Sequence, residues 1–236
     1  MCGIVGLVSS QRSPGELRSC VRKMSNMLVH RGPDDEGFWD YDGVYLGFRR
    51  LSILDINGGH QPMISETKNV IIFNGEIYNY LELRKELEAL GRVFKTKTDT
   101  EVLLAAYEKF GDKCLERLNG MFAFAIWDSS SHQLFVARDR MGIKPLYFNT
   151  TSEAFTFASN SQALMTQEGK IALGQAMANP IRRNLDYQGV ARKALVVDPL
   201  PQGALPVYDR DIDVAAVVVS SNGSAPESRV FGDRVT

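Results

Sequence analysis

The chain has 236 residues, of which 44% are hydrophobic and 23% are charged, and its formal net charge at pH 7 is −1. This composition is typical of a globular protein, and the absence of any block of like charge argues against binding to nucleic acid or to a membrane surface. There is no apolar run of about 18 residues and no basic-then-apolar leader, so we expect a cytoplasmic protein.

Cysteine and histidine positions argue against a disulfide framework and against a metal site. The three cysteines are an odd number, lie far apart and form no C-x-x-C pair. The histidines are equally scattered, and none pairs with another at the helical spacing of metal ligands. We therefore predict a reducing compartment, no metal and no cofactor. The residues concerned are Cys2, Cys20, Cys114, His30, His60 and His132.

The chain changes in character near residue 165. Of its aromatic residues only Tyr187, Tyr208 and Phe231 lie beyond that point, together with five of the nine prolines. Aromatic side chains supply much of the apolar area that a core buries. We therefore predict that residues 1–165 form one domain and that residues 166–236 are a C-terminal extension that does not fold alone.

Strands are predicted near the start of the first part. Apolar, β-prone runs indicate strands over residues 2–8 and 44–53. A further buried-type strand is predicted over residues 70–73. It would stop at Asn74-Gly75, a dipeptide typical of turns.

Two helices are predicted in the middle of this part. The first covers residues 80–90, is amphipathic and ends at Gly91. The second begins after Thr98-Asp99-Thr100, which can cap it. The leucines predicted to lie near one face of the first helix are Leu81, Leu83, Leu87 and Leu90.

Strands return towards the end of the first part. Residues 121–127 and 133–137 are predicted to pair across a turn at 128–131, and residues 155–158 form a last strand. So many apolar strands imply sheets buried on both faces. The fold class predicted from these elements is α+β, a layered sandwich flanked by helices.

The position of Cys2, directly after Met1, suggests a catalytic nucleophile. Removal of the initiator methionine, which a small second residue permits, leaves Cys2 with a free α-amino group. With a pKa near 8, that amine can take a proton from the thiol, directly or through a water. A small residue at position 2 also occurs for no catalytic reason, so Cys2 alone does not decide the matter.

Four polar clusters accompany Cys2. Each has a structural interpretation as well as a functional one. Arg49 and Arg50 could be a solvated strand end, Asn74-Gly75 a hairpin turn, and Asp99 a helix N-cap. The clusters are residues 30–34, 49–53, 74–76 and 98–101.

Together with Cys2, these clusters match the pattern of a known family. Residues 1–165 resemble the glutaminase domain of class II glutamine amidotransferases, in the asparagine synthetase branch. The resemblance implies an N-terminal-nucleophile hydrolase fold, a four-layer α/β/β/α sandwich with two antiparallel sheets between helical layers. The matching blocks are MCGIVG at 1–6, HRGPDDEG at 30–37, RRLSILD at 49–55, FNGEIYNY at 73–80, KTDTE at 97–101, MFAFAIWD at 121–128 and ARDRMGIKPLYF at 137–148.

The resemblance implies a hydrolysis of glutamine to glutamate and ammonia. Cys2 would attack the side-chain amide carbon of glutamine, release ammonia and leave a glutamyl thioester that water hydrolyses. Asn74, through its side-chain amide, and Gly75, through its backbone N–H, would bind the oxyanion. All of this depends on the removal of Met1, because a retained methionine turns the amine of Cys2 into an amide without basicity.

The resemblance also implies how free glutamine is bound. Arg50 would bind the α-carboxylate, because a guanidinium matches a carboxylate with two parallel hydrogen bonds. Glu76 and Asp99 would hold the α-ammonium group. Arg31, Gly32 and Asp34 would belong to a closing loop or to a layer behind the site.

The resemblance breaks after residue 159. Members of the family continue into an ATP-pyrophosphatase domain with an SGGxDS phosphate-binding loop, and this sequence contains no such loop. We therefore expect the ammonia to be released or to pass to a separate ammonia-accepting synthetase.

The extension is similar to a different class of protein. Residues 167–236 resemble the N-terminal arm of tailed-phage major capsid proteins. The apolar segment 214–219 is predicted to be a strand without an obvious partner, which suggests an assembly contact. The alternative function is therefore a non-catalytic structural or cargo module of a virion, with capsid-like assembly through residues 166–236.

Overall fold

A computed structural model describes residues 1–51, 59–150 and 154–165, together with the backbone of two later strands. Two sheets stack on each other, and helices cover their outer faces. In chain order the described elements are β1 (Gly3–Val8), α1 (Pro14–Asn26), β2 (Asp35–Tyr41), β3 (Val44–Arg50), β4 (Met63–Ile64), β5 (Val70–Ile77), α2 (Tyr80–Ala89), α3 (Asp99–Phe110), a 3₁₀ helix (Gly111–Glu116), β6 (Gly120–Asp128), β7 (Gln133–Arg138), β8 (Tyr147–Thr150), β9 (Phe155–Ala158), α4 (Ser161–Met165), β10 (Ala194–Val196) and β11 (Ala216–Ser220).

The first sheet has the strand order β2-β3-β1-β9-β8, and its neighbouring strands are antiparallel. Strands β1 and β3 pair in a register that sets Gly3 opposite Arg49 and Val8 opposite Val44. The start of β1 therefore lies beside the end of β3.

The second sheet has the order β10-β11-β7-β6-β5-β4. Strand β5 pairs with β6 over its full length, with Asn74 opposite Ala123 and Gly75 opposite Phe122. Strands β10 and β11 are parallel, and the other neighbours are antiparallel.

Three buried clusters separate four layers and confirm the predicted α/β/β/α sandwich. One cluster joins α1 to the first sheet and includes Leu17 and Leu7. Another joins α2 and α3 to the second sheet and includes Leu83 and Phe73. The third lies between the sheets, and its largest fully buried side chain is Trp127. Full burial of such a side chain stabilises the fold by about 1.5–3 kcal/mol.

Strand alternation decides which residues enter the layer between the sheets. In β1, β3 and β5 the even-numbered apolar residues, such as Ile4, Leu46 and Ile72, belong to the cluster between the sheets. The odd-numbered ones, such as Val5 and Phe73, face the helices. The same parity thus selects the inner face in these three strands, although they belong to two sheets.

The prediction that β5 stops at Asn74-Gly75 is wrong. The strand continues to Ile77. Gly75 is needed for space rather than for a turn, because a Cβ there would collide with Met121 O and lie 2.7 Å from Phe122 Cα. The partner strand β6 begins more than 40 residues later in the chain, at Gly120, so a local dipeptide could not reveal this crowding.

Helix α2 matches its predicted range closely, but its predicted buried face is only half right. Leu83 and Leu87 are buried, whereas Leu81 and Leu90 are 54% and 53% exposed. Leu81 and Leu83 are two positions apart and cannot share a helix face. Leu90 lies beyond the last helical residue, as the C-cap.

Helix α1 and strands β2, β4 and β8 were not predicted. The N-terminus of α1 nevertheless carries recognisable signals. Ser13 accepts a hydrogen bond from the backbone of Glu16, the Glu16 carboxylate accepts one from the backbone of Ser13, and Pro14 occupies the first helical position.

The expectation that the apolar segment 214–219 is an unpaired strand is also wrong. Strand β11 pairs with β7 of the same chain, with Ala216 opposite Ala137 and Ser220 opposite Gln133. An intramolecular neighbour covers this edge, so the reason given for capsid-like assembly no longer holds. The rest of the predicted capsid-type arm lies outside the described residues, and the domain boundary near residue 165 stays a prediction.

Candidate active site

Most of the predicted site residues face the layer between the sheets. Cys2, Arg50, Asn74 and Glu76 continue the even-numbered positions of β1, β3 and β5 that pack into that layer. Cα atoms of β5 lie within 8 Å of Cα atoms of β1 and of β3. Two sheets therefore bring these four residues towards one region.

Cys2 is half-buried beside the end of β3. The register of β1 and β3 sets Cys2 opposite Arg50, one step beyond the pair of Gly3 and Arg49. The backbone N–H of Leu51 donates to Cys2 Sγ at 3.5 Å, and the thiol donates to the Leu51 carbonyl at 3.7 Å. Met1 is 57% exposed. The thiol is thus held at the inner edge of the sandwich, and the residue before it projects outwards.

The loop at residues 30–34 lies against Cys2 and β3. Arg31 Nε donates to the carbonyl of Cys2 at 3.2 Å. Its Nη2 is buried without a hydrogen-bond partner among the described residues, and burial lowers the pKa of the guanidinium. A Cβ on Gly32 would lie 2.6 Å from the Arg50 nitrogen, so only glycine fits so close to β3. The backbone N–H of Asp34 donates to the Arg50 carbonyl at 3.0 Å.

Alternation separates the two adjacent arginines of β3. Arg49 faces outwards, where it donates to Ser25 Oγ at 3.0 Å and forms an ion pair with Glu36 at 2.7 Å. Arg50 is only 6% exposed and faces the layer between the sheets. Neither arginine is a solvated strand end, because the Arg49 side chain is only 13% exposed and Arg50 places a buried cation beside Cys2.

Asn74 is 1% exposed, and its Nδ2 has no hydrogen-bond partner among the described residues. Leaving a buried donor unpaired costs about 1–3 kcal/mol. A buried donor without a partner is rare in native proteins and calls for an explanation. Binding of a ligand by this donor would provide one.

The backbone N–H of Gly75 points to the open side of β5. Phe122, its partner on β6, directs its own N–H to Asp139 Oδ2 at 3.2 Å, away from β5. On the same side of β5, Phe73 N–H donates to Gln61 Oε1 at 2.6 Å and Ile77 N–H to Asp99 Oδ2 at 3.0 Å. Because backbone groups alternate along a strand, the Gly75 N–H lies between these two on one edge.

Asp99 and Glu76 place negative charge beside this edge. Asp99 is the first residue of α3, and Thr98 is the N-cap, so Asp99 is not the cap itself. Burial raises the pKa of Asp99, the Ile77 N–H lowers it, and the charge of Glu76 raises it further. Glu76 is exposed. A cation between the two carboxylates would relieve their repulsion.

Sequence reasoning missed two buried side chains that support the site. Gln61 and Asp139 are 5% and 2% exposed. Asp139 accepts hydrogen bonds from the N–H groups of Phe122, Ile143 and Lys144, and so fixes the start of β6. Asp139 lies within the matched block 137–148, which drew attention to the segment but gave no role to the residue.

Within the described part of the chain, no group of three or more His, Cys, Asp or Glu side chains could hold a metal ion. The helices described there are also too short or too polar to cross a membrane.

Comparison with known proteins identifies the family. A family model described as "Glutamine amidotransferase domain" matches residues 1–219. The chain belongs to this family. The prediction of a glutamine amidotransferase is thereby confirmed.

Similar curated proteins are asparagine synthetases. Asparagine synthetase [glutamine-hydrolyzing] 1 of Bacillus subtilis is 46% identical over 176 residues, which cover 73% of this chain and 28% of the relative. Asparagine synthetase B of Escherichia coli is 40% identical over 167 residues, which cover 70% of this chain and 30% of the relative. The chain therefore spans less than a third of the length of these relatives.

A solved structure agrees on the fold. The glutamine phosphoribosylpyrophosphate amidotransferase of B. subtilis superposes with a TM-score of 0.59 at 22% identity, over 69% of this chain and 43% of that one. These matches give no support to a capsid-type arm or to a virion, and the family match extends well into the proposed extension. The roles of the individual site residues stay predictions.

Proposed function

We propose that this amidotransferase domain hydrolyses glutamine to glutamate and ammonia, with Cys2 as the nucleophile once Met1 has been removed. The observation that carries the proposal is the buried Nδ2 of Asn74, which has no hydrogen-bond partner among the described residues and faces the same layer between the sheets as Cys2. A donor held in place without a partner is suited to a charge that exists only during the reaction.

In the first step the α-amino group of Cys2 takes the thiol proton, and Sγ attacks the side-chain amide carbon of glutamine. The carbonyl oxygen becomes an oxyanion, which Asn74 Nδ2 and the Gly75 N–H stabilise. The carbon–nitrogen bond then breaks, the nitrogen takes the proton from the amine, and ammonia leaves a glutamyl thioester.

In the second step water attacks the thioester. The α-amino group takes a proton from the water, the same two donors bind the second oxyanion, and the carbon–sulfur bond breaks. The amine returns its proton to the sulfur, which releases glutamate and restores the thiol. One residue thus supplies both the nucleophile and the base.

Free glutamine is distinguished by its two α-substituents. The buried guanidinium of Arg50 lies beside Cys2 and suits the α-carboxylate. The carboxylates of Asp99 and Glu76, close enough for Glu76 to raise the pKa of Asp99, suit the α-ammonium group. Such a clamp favours free glutamine over amides in a peptide chain.

The relatives support a proposal for the fate of the ammonia. Two of them are named asparagine synthetases, and the chain spans less than a third of their length. We propose that ammonia made at Cys2 is used by a synthetase activity outside the residues described here. No observation on the described residues favours the virion alternative.

The test is Cys2-dependent release of glutamate from glutamine, together with an intact mass that reports whether Met1 is present. Cys20 is also half-buried and lies on α1, so Cys20→Ala is the matched control for Cys2→Ala. We expect the processed wild type and Cys20→Ala to release glutamate and Cys2→Ala to release none. Equal release by the two variants would contradict the proposal.

A further inference from the structure

We propose that Gln61 is a positioning residue that holds the oxyanion donors of β5 in place. The inference rests on the proposed glutamine hydrolysis. Gln61 is 5% exposed and lies outside the blocks that identify the family.

Both ends of the Gln61 amide are used. Oε1 accepts the backbone N–H of Phe73 at 2.6 Å, and Nε2 donates to the hydroxyl of Thr100 at 3.4 Å. A backbone N–H can only donate, so the amide oxygen must face Phe73 and the orientation of the amide is fixed.

These two partners adjoin two predicted site residues. Phe73 precedes Asn74 on β5, and Thr100 follows Asp99 at the start of α3. One buried amide therefore ties the strand that carries the oxyanion donors to the helix that carries the ammonium ligand.

The hydrogen bond from Phe73 to Gln61 also fixes one of the two N–H groups that lie on either side of the Gly75 N–H. Along this edge of β5, Gln61 takes the N–H of Phe73 and Asp99 takes that of Ile77. The Gly75 N–H between them has no acceptor among the described residues and is available to a ligand. Two fixed neighbours restrain the direction of the free donor, and an oxyanion site must be held to within about 0.5 Å to be effective.

The backbone of Gln61 packs closely against the first sheet. A Cβ on Gly37 of β2 would collide with the carbonyl of Gln61 and lie 2.7 Å from Cδ of Pro62. Gln61 thus spans the sandwich, with its main chain against the first sheet and its side chain bonded to the second. That makes it a rigid support.

The test compares Gln61→Leu with Gln61→Glu and with Asn69→Leu. Glutamate in place of Gln61 keeps an acceptor for Phe73. Asn69 is a matched control, because it is a buried amide at the other end of β5 whose Oδ1 accepts the backbone N–H of Ser129 at 2.9 Å. We expect Gln61→Leu to lower kcat by about 100-fold, as displaced catalytic groups do, with a smaller change in KM.

Three further outcomes are expected. Gln61→Glu recovers a large part of the lost kcat. Asn69→Leu lowers the melting temperature but leaves kcat near that of the wild type. The alkylation rate of Cys2 by iodoacetamide is the same in Gln61→Leu and wild type, because the nucleophile lies on the other sheet.

Failure of the inference and failure of the proposed function look different. If the wild type is active and Gln61→Leu keeps its kcat, or if Asn69→Leu loses as much kcat, Gln61 has only a structural role and the inference is overturned. If the processed wild type shows no Cys2-dependent release of glutamate, the proposed function and the inference fall together.

Discussion

Cys2, which directly precedes β1 of the first sheet, and Asn74, on β5 of the second, face the same buried layer between the sheets. Neither strand alone contains a site. The stacking of the sheets places the Cys2 thiol on one side of the layer and the Asn74 amide donor on the other. The proposed hydrolysis requires a nucleophile and an oxyanion donor on opposite sides of the substrate.

Replacement of Asn74 by leucine is expected to remove activity without loss of stability. The variant loses one oxyanion donor, which costs about 100- to 1,000-fold in kcat. It also removes a buried donor that has no partner among the described residues, so the melting temperature should not fall. Glutamate release and thermal unfolding measure the two effects. A lower melting temperature with kcat retained would show that Asn74 is a structural residue.

Replacement of Gly75 by alanine is expected to destabilise the protein. The added Cβ lies 2.7 Å from Phe122 Cα and from Phe73 Cε2, and overpacking of this kind costs about 1–3 kcal/mol. The control is Gly15→Ala on α1, where a Cβ meets nothing within 4 Å and should stabilise the helix by about 0.5–1 kcal/mol. Urea unfolding of both variants is the measurement, and equal midpoints would contradict the prediction.

The fall of kcat/KM at acidic pH is expected to follow the protonation of Asp99. Burial raises the pKa of this carboxyl, so it begins to lose its charge, and its hold on the α-ammonium group, at a pH above its ordinary range. In Asp99→Asn we expect a higher KM and no acidic limb from this group. The control is Asp40→Asn, at an exposed ion pair with Arg18, which should leave the pH profile unchanged.

The effect of Asp99 on folding stability has the opposite pH dependence to its effect on activity. A carboxyl whose pKa is higher in the folded protein favours folding most below its unfolded pKa, and this contribution is lost as the pH rises through its folded pKa. At neutral pH the charged carboxylate of Asp99 therefore lowers the free energy of unfolding. We expect Asp99→Asn to unfold at a higher temperature than the wild type at pH 7. A lower melting temperature would contradict the assigned direction of the pKa shift.

Replacement of Glu101 by glutamine is expected to weaken the loop before α3. The two oxygens of this buried carboxylate accept from Lys95 N–H at 2.9 Å, Thr96 N–H at 2.6 Å and Thr96 Oγ1 at 2.7 Å. In the variant, the NH₂ of the glutamine would face one of these N–H donors. The loss of that hydrogen bond lowers the free energy of unfolding by about 1–3 kcal/mol. Glu88→Gln, which changes an exposed pair with Arg84, should cost less than about 0.5 kcal/mol. Denaturant midpoints of the two variants make the comparison.

The parts of the fold that could be predicted are those with a local signal. Short runs of apolar and β-prone residues predicted β7 and β9 to within a residue, because the residues of each run follow one another in the chain. The buried face of α2 was half wrong, because hydrophobicity alone does not place Leu81 and Leu90 relative to the helix axis.

Long-range contacts could not be predicted in the same way. Asn74-Gly75 has the composition of a turn, and only the distant strand β6 makes it part of a strand. The sequence identified Cys2 and Asn74 through their motifs, but Gln61 differs from any other glutamine only in the contacts that folding gives it. The partners of the β11 residues lie 79 to 87 positions earlier in the chain, on β7.

The shared parity of β1, β3 and β5 has a consequence for how this protein can change. The residues that pack the interior and four of those proposed to act on glutamine (Cys2, Arg50, Asn74 and Glu76) occupy the same alternate positions, so a single inserted or deleted residue within these strands would reverse both sets at once. A variant with such an insertion or deletion would therefore be both misfolded and inactive. Changes of length are therefore expected to be tolerated between the strands and not inside them.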